Sequence, residues 1–510
     1  MTDTITLYPQ DASNVKIDAE LHIYQGLYDH FGYKMPNARF IPSVKAKIWD
    51  GVVRLFSIQT RTLPIGLIPR LEKYANALEI DVDFSKYVDQ SVNSNVTLEE
   101  VKTFAESLNI HSGGKKIEPR EYQINTVYEA IKRGRMIAIA PTSAGKSLIL
   151  YIFINWFREK VKNKILLIVP STQLVLQMLG DFKDYHNGNN DLENPEDYCH
   201  IIMSGKEKYD DTKKVFISTW QSLQNITKGK DKLYTLTYFN EFEIVICDET
   251  HLAKSTQISN ILNSCVNAYI RLGVTGTLDG TDTTQLQLEG LFGPVHHVIT
   301  TKELMDSGAV STLDIKCVTL TYPDEIRKNA TKLSYQEELD FLVTYPSRLK
   351  FVTNLASSLK NNTLILVNYV EKHGKPLYDA IKAKVGDSRQ VFFIHGSVDA
   401  EIRDEMRKIV ETTDDAIIIG SFGVLSTGTN IKRLFNIIFA SPSKSQVRVL
   451  QSLGRGLRLG SDKNHCVLYD ISDDLSWKKH KNYTLKHFIE RVKMYSSQKF
   501  NYKLNRVNLP

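Results

Sequence analysis

Apolar residues along this chain come in short unbroken runs separated by amphipathic stretches, and the rhythm occurs twice. The runs at 136–140, 165–169, 215–218 and 244–247 have the length of strands and little polar alternation. A strand covered on both faces has no polar side to show, so such runs predict parallel strands inside an α/β layer. Helical patterns fit between them, Lys146–Arg158 being the plainest. A second series follows at 363–367, 390–394, 416–419, 437–440 and 467–469. Two doubly wound α/β units in tandem are expected.

The flanks read differently. Residues 31–75 carry eight Lys/Arg (Lys34, Arg39, Lys45, Lys47, Arg54, Arg61, Arg70, Lys73) against Asp50 and Glu72, with Phe31, Tyr33, Phe40, Trp49 and Phe56 interleaved. Residues 76–110 reverse the sign, with seven Asp/Glu against Lys86 and Lys102. The swing predicts a small separate module with one basic face, a contact for duplex or junction DNA. Within it, 47–55 reads as strand, turn, strand around Asp50-Gly51. Residues 111–116 read as a linker. From Leu475 to Arg506 there are nine Lys/Arg and one acidic residue, Glu490. Phe488, Val492 and Tyr495 are at helical spacing there, so 487–500 should be a docked basic helix.

At 510 residues the chain exceeds one core. The expected division is a basic nucleic-acid-binding module at 1–105, α/β domains at 106–305 and 306–474, and a basic helical tail at 475–510. No run of eighteen apolar residues exists, and residues 1–10 lack a basic start followed by an apolar stretch. No membrane helix or secretory signal is expected, and the setting is cytoplasmic. The five cysteines are scattered without a Cys-x-x-Cys pair, which argues against a disulfide framework or a zinc site. The net charge of +6 is mild, so its distribution matters more than its size.

The chemistry sits at strand ends. The run 136–140 opens into Ala140-Pro141-Thr142-Ser143-Ala144-Gly145-Lys146-Ser147, and the run 244–247 ends in Asp248-Glu249-Thr250-His251. A small-residue loop before a helix cradles phosphates with backbone N–H groups. Lys146 would neutralise the β- and γ-phosphates, and the Ser147 hydroxyl and Asp248 would hold Mg²⁺. Glu249 would orient and deprotonate the attacking water. Alone, Gly-Lys-Ser is also a helix start and Asp-Glu a solvated loop. Both together, each closing an apolar strand in this order, point to hydrolysis of a Mg–nucleotide.

A third element is Gln451-Ser452-Leu453-Gly454-Arg455-Gly456-Leu457-Arg458. Loop, acidic pair and a distant glycine-arginine motif, in that order, resemble a superfamily 2 helicase or translocase. The resemblance implies two tandem RecA-like P-loop domains with a small α+β N-terminal domain and a short helical C-terminal region. ATP would sit between the two domains. Arg455 and Arg458 then look like paired arginine fingers, with Gln451 near the γ-phosphate or the water. Arg120-Glu121-Tyr122-Gln123 resembles the motif whose glutamine amide reads adenine. Pro141 to Ser147 form the rest of the nucleotide site. Val274-Thr275-Gly276-Thr277 resembles the motif that links nucleotide and strand. Pro170-Ser171-Thr172, Thr219-Trp220-Gln221 and Thr427-Gly428-Thr429 match motifs that hold a nucleic-acid backbone. Each alone is also routine helix capping.

The N-terminal pattern 39–67, the run Tyr322-Pro323-Asp324-Glu325 and the end Lys499-Phe500-Asn501-Tyr502 extend the likeness to phage UvsW-type helicases over nearly the full length. That family implies an ATP-dependent DNA helicase, a monomer, that unwinds or branch-migrates forks, Holliday junctions and R-loops in recombination, repair and replication control. Single-stranded and branched duplex DNA, and RNA in R-loops, are its implied partners. An RNA helicase, a restriction-system motor and a nucleic-acid-binding scaffold with an inactive ATP site are the alternatives.

Overall fold

The structure, a computed structural model, describes residues 3–510 apart from 36–37, 142, 188, 190–191, 204–206, 228–231, 255, 277, 279–281, 397, 399, 423–432 and 442–464. The chain forms two compact units, residues 1–140 with 145–298 and residues 141–144 with 299–510.

The first unit begins with a small sheet of β1 (Thr4–Pro9), β2 (Asn14–Asp18), β5 (Thr62–Pro64) and β6 (Asp81–Asp83), in the order β5-β2-β1-β6. Ile5, Leu7, Val15 and Ile17 alternate inward against Ile23, Leu27, Phe31, Phe56 and Leu71. Phe31 and Phe56 therefore belong to the core of this module. Its excursion carries β3 (Gly32–Lys34) paired antiparallel with β4 (Val52–Arg54). The expected hairpin around Asp50-Gly51 is not what forms. Gly51 does take the turn conformation at φ 79°, but Val52 to Arg54 pair with Lys34 to Gly32. Ile48 is left 82% exposed, so no apolar face draws 47–50 into a strand.

The expected linker is also ordered. β7 (His111–Ser112) and β8 (Lys115–Lys116) form a hairpin over Gly113 and Gly114, both at positive φ, with Asp184 accepting from the Gly113 N–H at 2.9 Å. The helix Leu98–Ser107 before it buries Val101 and Ala105 in the same core as β9. By packing it goes with the sheet that follows.

That sheet holds β9 (Arg135–Ile139), β10 (Lys164–Val169), β11 (Cys199–Ile202), β12 (Val215–Thr219), β13 (Phe242–Asp248), β14 (Ile270–Thr275) and β15 (Val295–His297). The order is β11-β12-β10-β13-β14-β9-β15, with every pair parallel. All six residues of β10 are buried. The helix Lys146–Arg158 forms as expected and buries ten of its thirteen residues.

The module is welded to this sheet. Arg135 opens β9 and donates to the carbonyls of Ala12 and Ala268. Arg271 donates to Ser13 Oγ at 2.8 Å and to the carbonyls of Cys265 and Ala268. Arg70 pairs with Glu289, and Leu286 joins the module's own core. Burial pulls both deep guanidinium groups down, Arg135 to about 9 and Arg271 to about 10.

The second unit repeats the plan. β16 (Thr312–Thr321), β17 (Thr363–Val367), β18 (Val391–Ile394), β19 (Ile417–Ser421), β20 (Asn436–Phe439), β21 (His465–Asp474) and β22 (Asn501–Asn508) are ordered β18-β19-β17-β20-β21-β16-β22, all parallel. The tail does carry a docked helix, Tyr483–Ser497, with Phe488 and Tyr495 buried. Beyond it the chain turns into β22, which pairs with β16 along eight residues. Among the described residues no helix is long and apolar enough to cross a membrane.

Candidate nucleotide site and nucleic-acid face

In a parallel sheet the strands' carboxyl ends share one edge, and ligands bind outside that edge. Neighbouring strands β13, β14 and β9 deliver Asp248, Thr275 and the loop from Ala140 to one such edge. Ala140 is tied in by donating its N–H to the Thr275 carbonyl at 2.9 Å. The loop turns through Ser143 (φ 75°) and Gly145 (φ 79°) before the helix begins at Lys146. Gly145 has a second reason to be glycine. A Cβ there would stand 2.3 Å from Nε2 of Gln123.

Gln123 is buried beneath the loop, its Oε1 accepting from the Arg120 N–H at 2.8 Å. The glutamine thus lies between the start of helix Glu121–Arg133 and Gly145. Arg120 itself is exposed and donates to the Tyr122 hydroxyl.

Lys146 Nζ donates to Glu249 Oε1 at 2.9 Å and stands 3.9 Å from Asp248 Oδ1. Burial pulls the ammonium down, but the two carboxylates more than reverse it, so Lys146 is raised. Burial pushes Asp248 up to about 6 despite Lys146. Burial acts the same way on Glu249, yet Lys146 and His251 outweigh it and hold that carboxyl well below its usual range. Glu249 has a left-handed backbone at φ 52°, which costs a non-glycine residue on the order of 1–3 kcal/mol. The ion pair and His251 offset that cost. His251 Nδ1 lies 3.0 Å from Thr275 Oγ1 and 3.3 Å from Glu249 Oε2. A polar chain therefore runs from Lys146 through the acidic pair to the end of β14. Ser147 Oγ shares a hydrogen bond of 2.8 Å with the Tyr185 hydroxyl.

Pro170, Ser171 and Thr172, after β10, share a cleft of about 570 Å³ with Thr219, the last residue of β12, and Gln221 beyond it. Ser171 caps its helix, accepting from the Leu174 N–H, and Thr219 accepts from the Ser222 N–H. Trp220 packs instead against the apolar core beneath. Lys208 and Asn225 line the cleft as well. They stand in polar stretches without a motif, so no spacing singles them out. Tyr185 stands in no motif either, with its partner 38 residues away; His251 closes the Asp248–His251 motif, but its contact with Thr275 spans 24 residues.

Thr142, Thr277, Thr427, Gly428, Thr429, Gln451, Arg455 and Arg458 lie outside the described residues.

Of the module's basic residues, Arg54 and Arg61 pair with Asp50 and Asp18, and Arg70 with Glu289. Lys34, Arg39, Lys45, Lys47 and Lys73 are exposed and have no ion pair among the described residues. Arg39 lies over the Phe40 ring, itself 59% exposed, while Trp49 is tied back to the Val52 carbonyl.

Residues 4–89 match the family model described as DNA helicase UvsW, N-terminal, and residues 116–280 match that of the type III restriction enzyme res subunit. The ATP-dependent DNA helicase uvsW of Enterobacteria phage T4 is 33% identical over 528 aligned positions, spanning 99% of this chain and all of the relative. The crystal structure of T4 UvsW matches over 100% of both chains at 30% identity and a TM-score of 0.51. The DNA-bound type ISP restriction-modification enzyme LlaBIII shares the fold at 16% identity, with a TM-score of 0.55 over 85% of this chain and 34% of its own. The two sheets are tandem RecA-like units, and the chain belongs to the UvsW family of DNA helicases.

Proposed function

We propose that this chain couples ATP hydrolysis to unwinding or branch migration of DNA forks, Holliday junctions and R-loops in recombination, repair and replication control. The supporting observation is the contact between Lys146 and Glu249 at the carboxyl edge of the first sheet. A base clamped by a lysine and held far below neutrality is a poor proton acceptor. Phosphate oxygens that draw Lys146 away would leave Glu249 without its cation. Its basicity would then rise, so that it takes a proton from water only when nucleotide is present. Arg455 and Arg458 would stabilise the transferring phosphoryl group, with Gln451 beside it. Gln123 and Arg120 would receive the base, and Pro141 to Ser147 the phosphates.

Mg²⁺ fits the donors present. Ser147 Oγ and the Asp248 carboxylate are hard oxygen ligands. Asp248 stands 3.9 Å from Lys146, which sits closer to Glu249. Bound with ATP, the ion would neutralise phosphate charge; the residues named would hold it.

The cleft of Ser171, Thr172, Thr219 and Gln221 suits phosphates of a single strand, with Lys208 and Asn225 added to that set. Thr427, Gly428 and Thr429 would serve the same strand from the second domain. Lys34, Arg39, Lys45 and Lys47, with exposed Phe40 and Ile48 among them, suit a duplex or its branch point. The domain division that goes with this reading places RecA-like domains at about 106–305 and 306–474, the first taking the helix Leu98–Ser107 as well. The setting is the cytoplasm of an infected host, and the protein acts as a monomer.

Turnover of ATP with single-stranded DNA, forked DNA, Holliday junctions and RNA, side by side, tests the reading. DNA should stimulate turnover and branched DNA should be remodelled. Stimulation by RNA alone would make it an RNA helicase, and no turnover at all would make it a binding scaffold.

A further inference from the structure

Tyr185 lies in the last turn of the helix Thr172–His186, far from every motif in sequence. Its ring leans on Tyr151, centroid to centroid 5.5 Å, and its hydroxyl reaches Ser147 Oγ at 2.8 Å. Ser147 and Tyr151 are four residues apart on one helix, hence on one face, so a single tyrosine spans both. Phenylalanine would supply the same packing. The hydroxyl has been added in a place where it needs a partner, and the partner is Ser147.

A serine hydroxyl has one proton and two lone pairs. Near a helix start it is free to rotate and to bond back to its own backbone. A hydroxyl that ligates a cation must present a lone pair and keep its proton clear. We propose that Tyr185 is a positioning residue for the metal site: its hydroxyl oxygen accepts a hydrogen bond from the Ser147 hydroxyl and so aims the serine lone pairs at the cation. This rests on the reading of Ser147 as a Mg²⁺ ligand.

The test uses the full-length chain with ADP, following Mn²⁺ binding by its paramagnetic resonance signal, and ADP affinity in EDTA by a fluorescent analogue. Tyr185→Phe should weaken Mn²⁺ binding to the ADP complex by about tenfold to a hundredfold, as loss of a ligand's supporting hydrogen bond does. Metal-free ADP affinity should stay unchanged. Ser147→Ala should weaken Mn²⁺ binding too, and Tyr185→Phe added to it should cost nothing further. If Ser147→Ala weakens binding while Tyr185→Phe leaves it equal or tighter, Tyr185 has no such role. If Ser147→Ala itself leaves Mn²⁺ binding unchanged, Ser147 is no ligand and the inference falls with that reading.

Discussion

In the first sheet, Arg135 and Arg271 are buried among carbonyl and hydroxyl oxygens, part of them supplied by the N-terminal module. In the second sheet, Arg348 grips Asp473 with Nε and Nη2 at 2.8 and 3.1 Å, and Arg491 grips Asp470 in the same way. The strand order is the same and the treatment of buried charge is not. The second unit neutralises its arginines internally. Tyr322 and Tyr495 donate to those same aspartates, and Arg348 also donates to the Ala440 carbonyl at the end of β20. The first unit draws part of its arginines' hydrogen bonds from the module, and Nε and Nη1 of Arg135 have no partner among the described residues. The carboxylate pair beside Lys146 in the first unit is partly open to solvent. Lys146 and Glu249 are each 18% exposed, against 1% and 0% for Arg348 and Asp473. On the proposed function, Lys146 would exchange Glu249 for phosphate and is placed where phosphate can reach it; the pair of Arg348 and Asp473 is closed to solvent.

The largest effect should come from the second domain's contribution to chemistry. Arg455→Ala or Arg458→Ala should each lower the turnover number about 10³–10⁵-fold with a modest change in nucleotide affinity. A raised KM with an unchanged turnover number would mean ground-state binding only.

Next comes the cost of breaking the fork pairs. Arg348→Ala strands Asp473 as a buried charge and should destabilise the second unit by about 3–5 kcal/mol. Arg271→Ala strands only carbonyls and a hydroxyl and should cost about 1–3 kcal/mol. Denaturant unfolding checks both, and equal losses would break the contrast.

Asp248→Asn should stabilise the nucleotide-free protein by on the order of 1–3 kcal/mol at pH 7. The folded carboxyl, raised to about 6, lies above the unfolded value of 3.8. Its cost is therefore absent below pH 3.8, grows as pH rises toward 6 and is constant above it. Melting midpoints across that window would show the gain appearing. A gain that persists at pH 3.5 would have another cause.

The smallest effect concerns the module. Replacing Lys34, Arg39, Lys45 and Lys47 by alanine should make the salt dependence of branched-DNA binding shallower, by on the order of three in log–log slope. An unchanged slope would make their charge incidental. Substitution is the better probe than deletion of the module, which would uncover Arg135 and Arg271.

Much of this was legible before folding. The unbroken apolar runs marked the central strands of both sheets, and the loop and acidic pair marked their own strand ends. What escaped was set by distance along the chain. β16 alternates exposed Asp314 and Lys316 with buried neighbours, so it lacks the unbroken apolar run of a central strand. β22 is mostly exposed, and its partner lies nearly two hundred residues upstream. Arg135 and Arg271 look like polar strand ends until Ala12 and Ser13 are brought to them. Trp220, expected at the strand-binding face, packs against the core because a large apolar ring gains more there.

On the proposed function, Glu249 is a base that Lys146 holds in check until nucleotide arrives. Glu249→Gln measured for ATP binding and hydrolysis on DNA tests it most directly. The variant should bind ATP near-normally, turn it over about 10²–10⁴-fold more slowly and stay trapped in a DNA-bound state. Hydrolysis at the wild-type rate in that variant would contradict it and assign the proton to another residue.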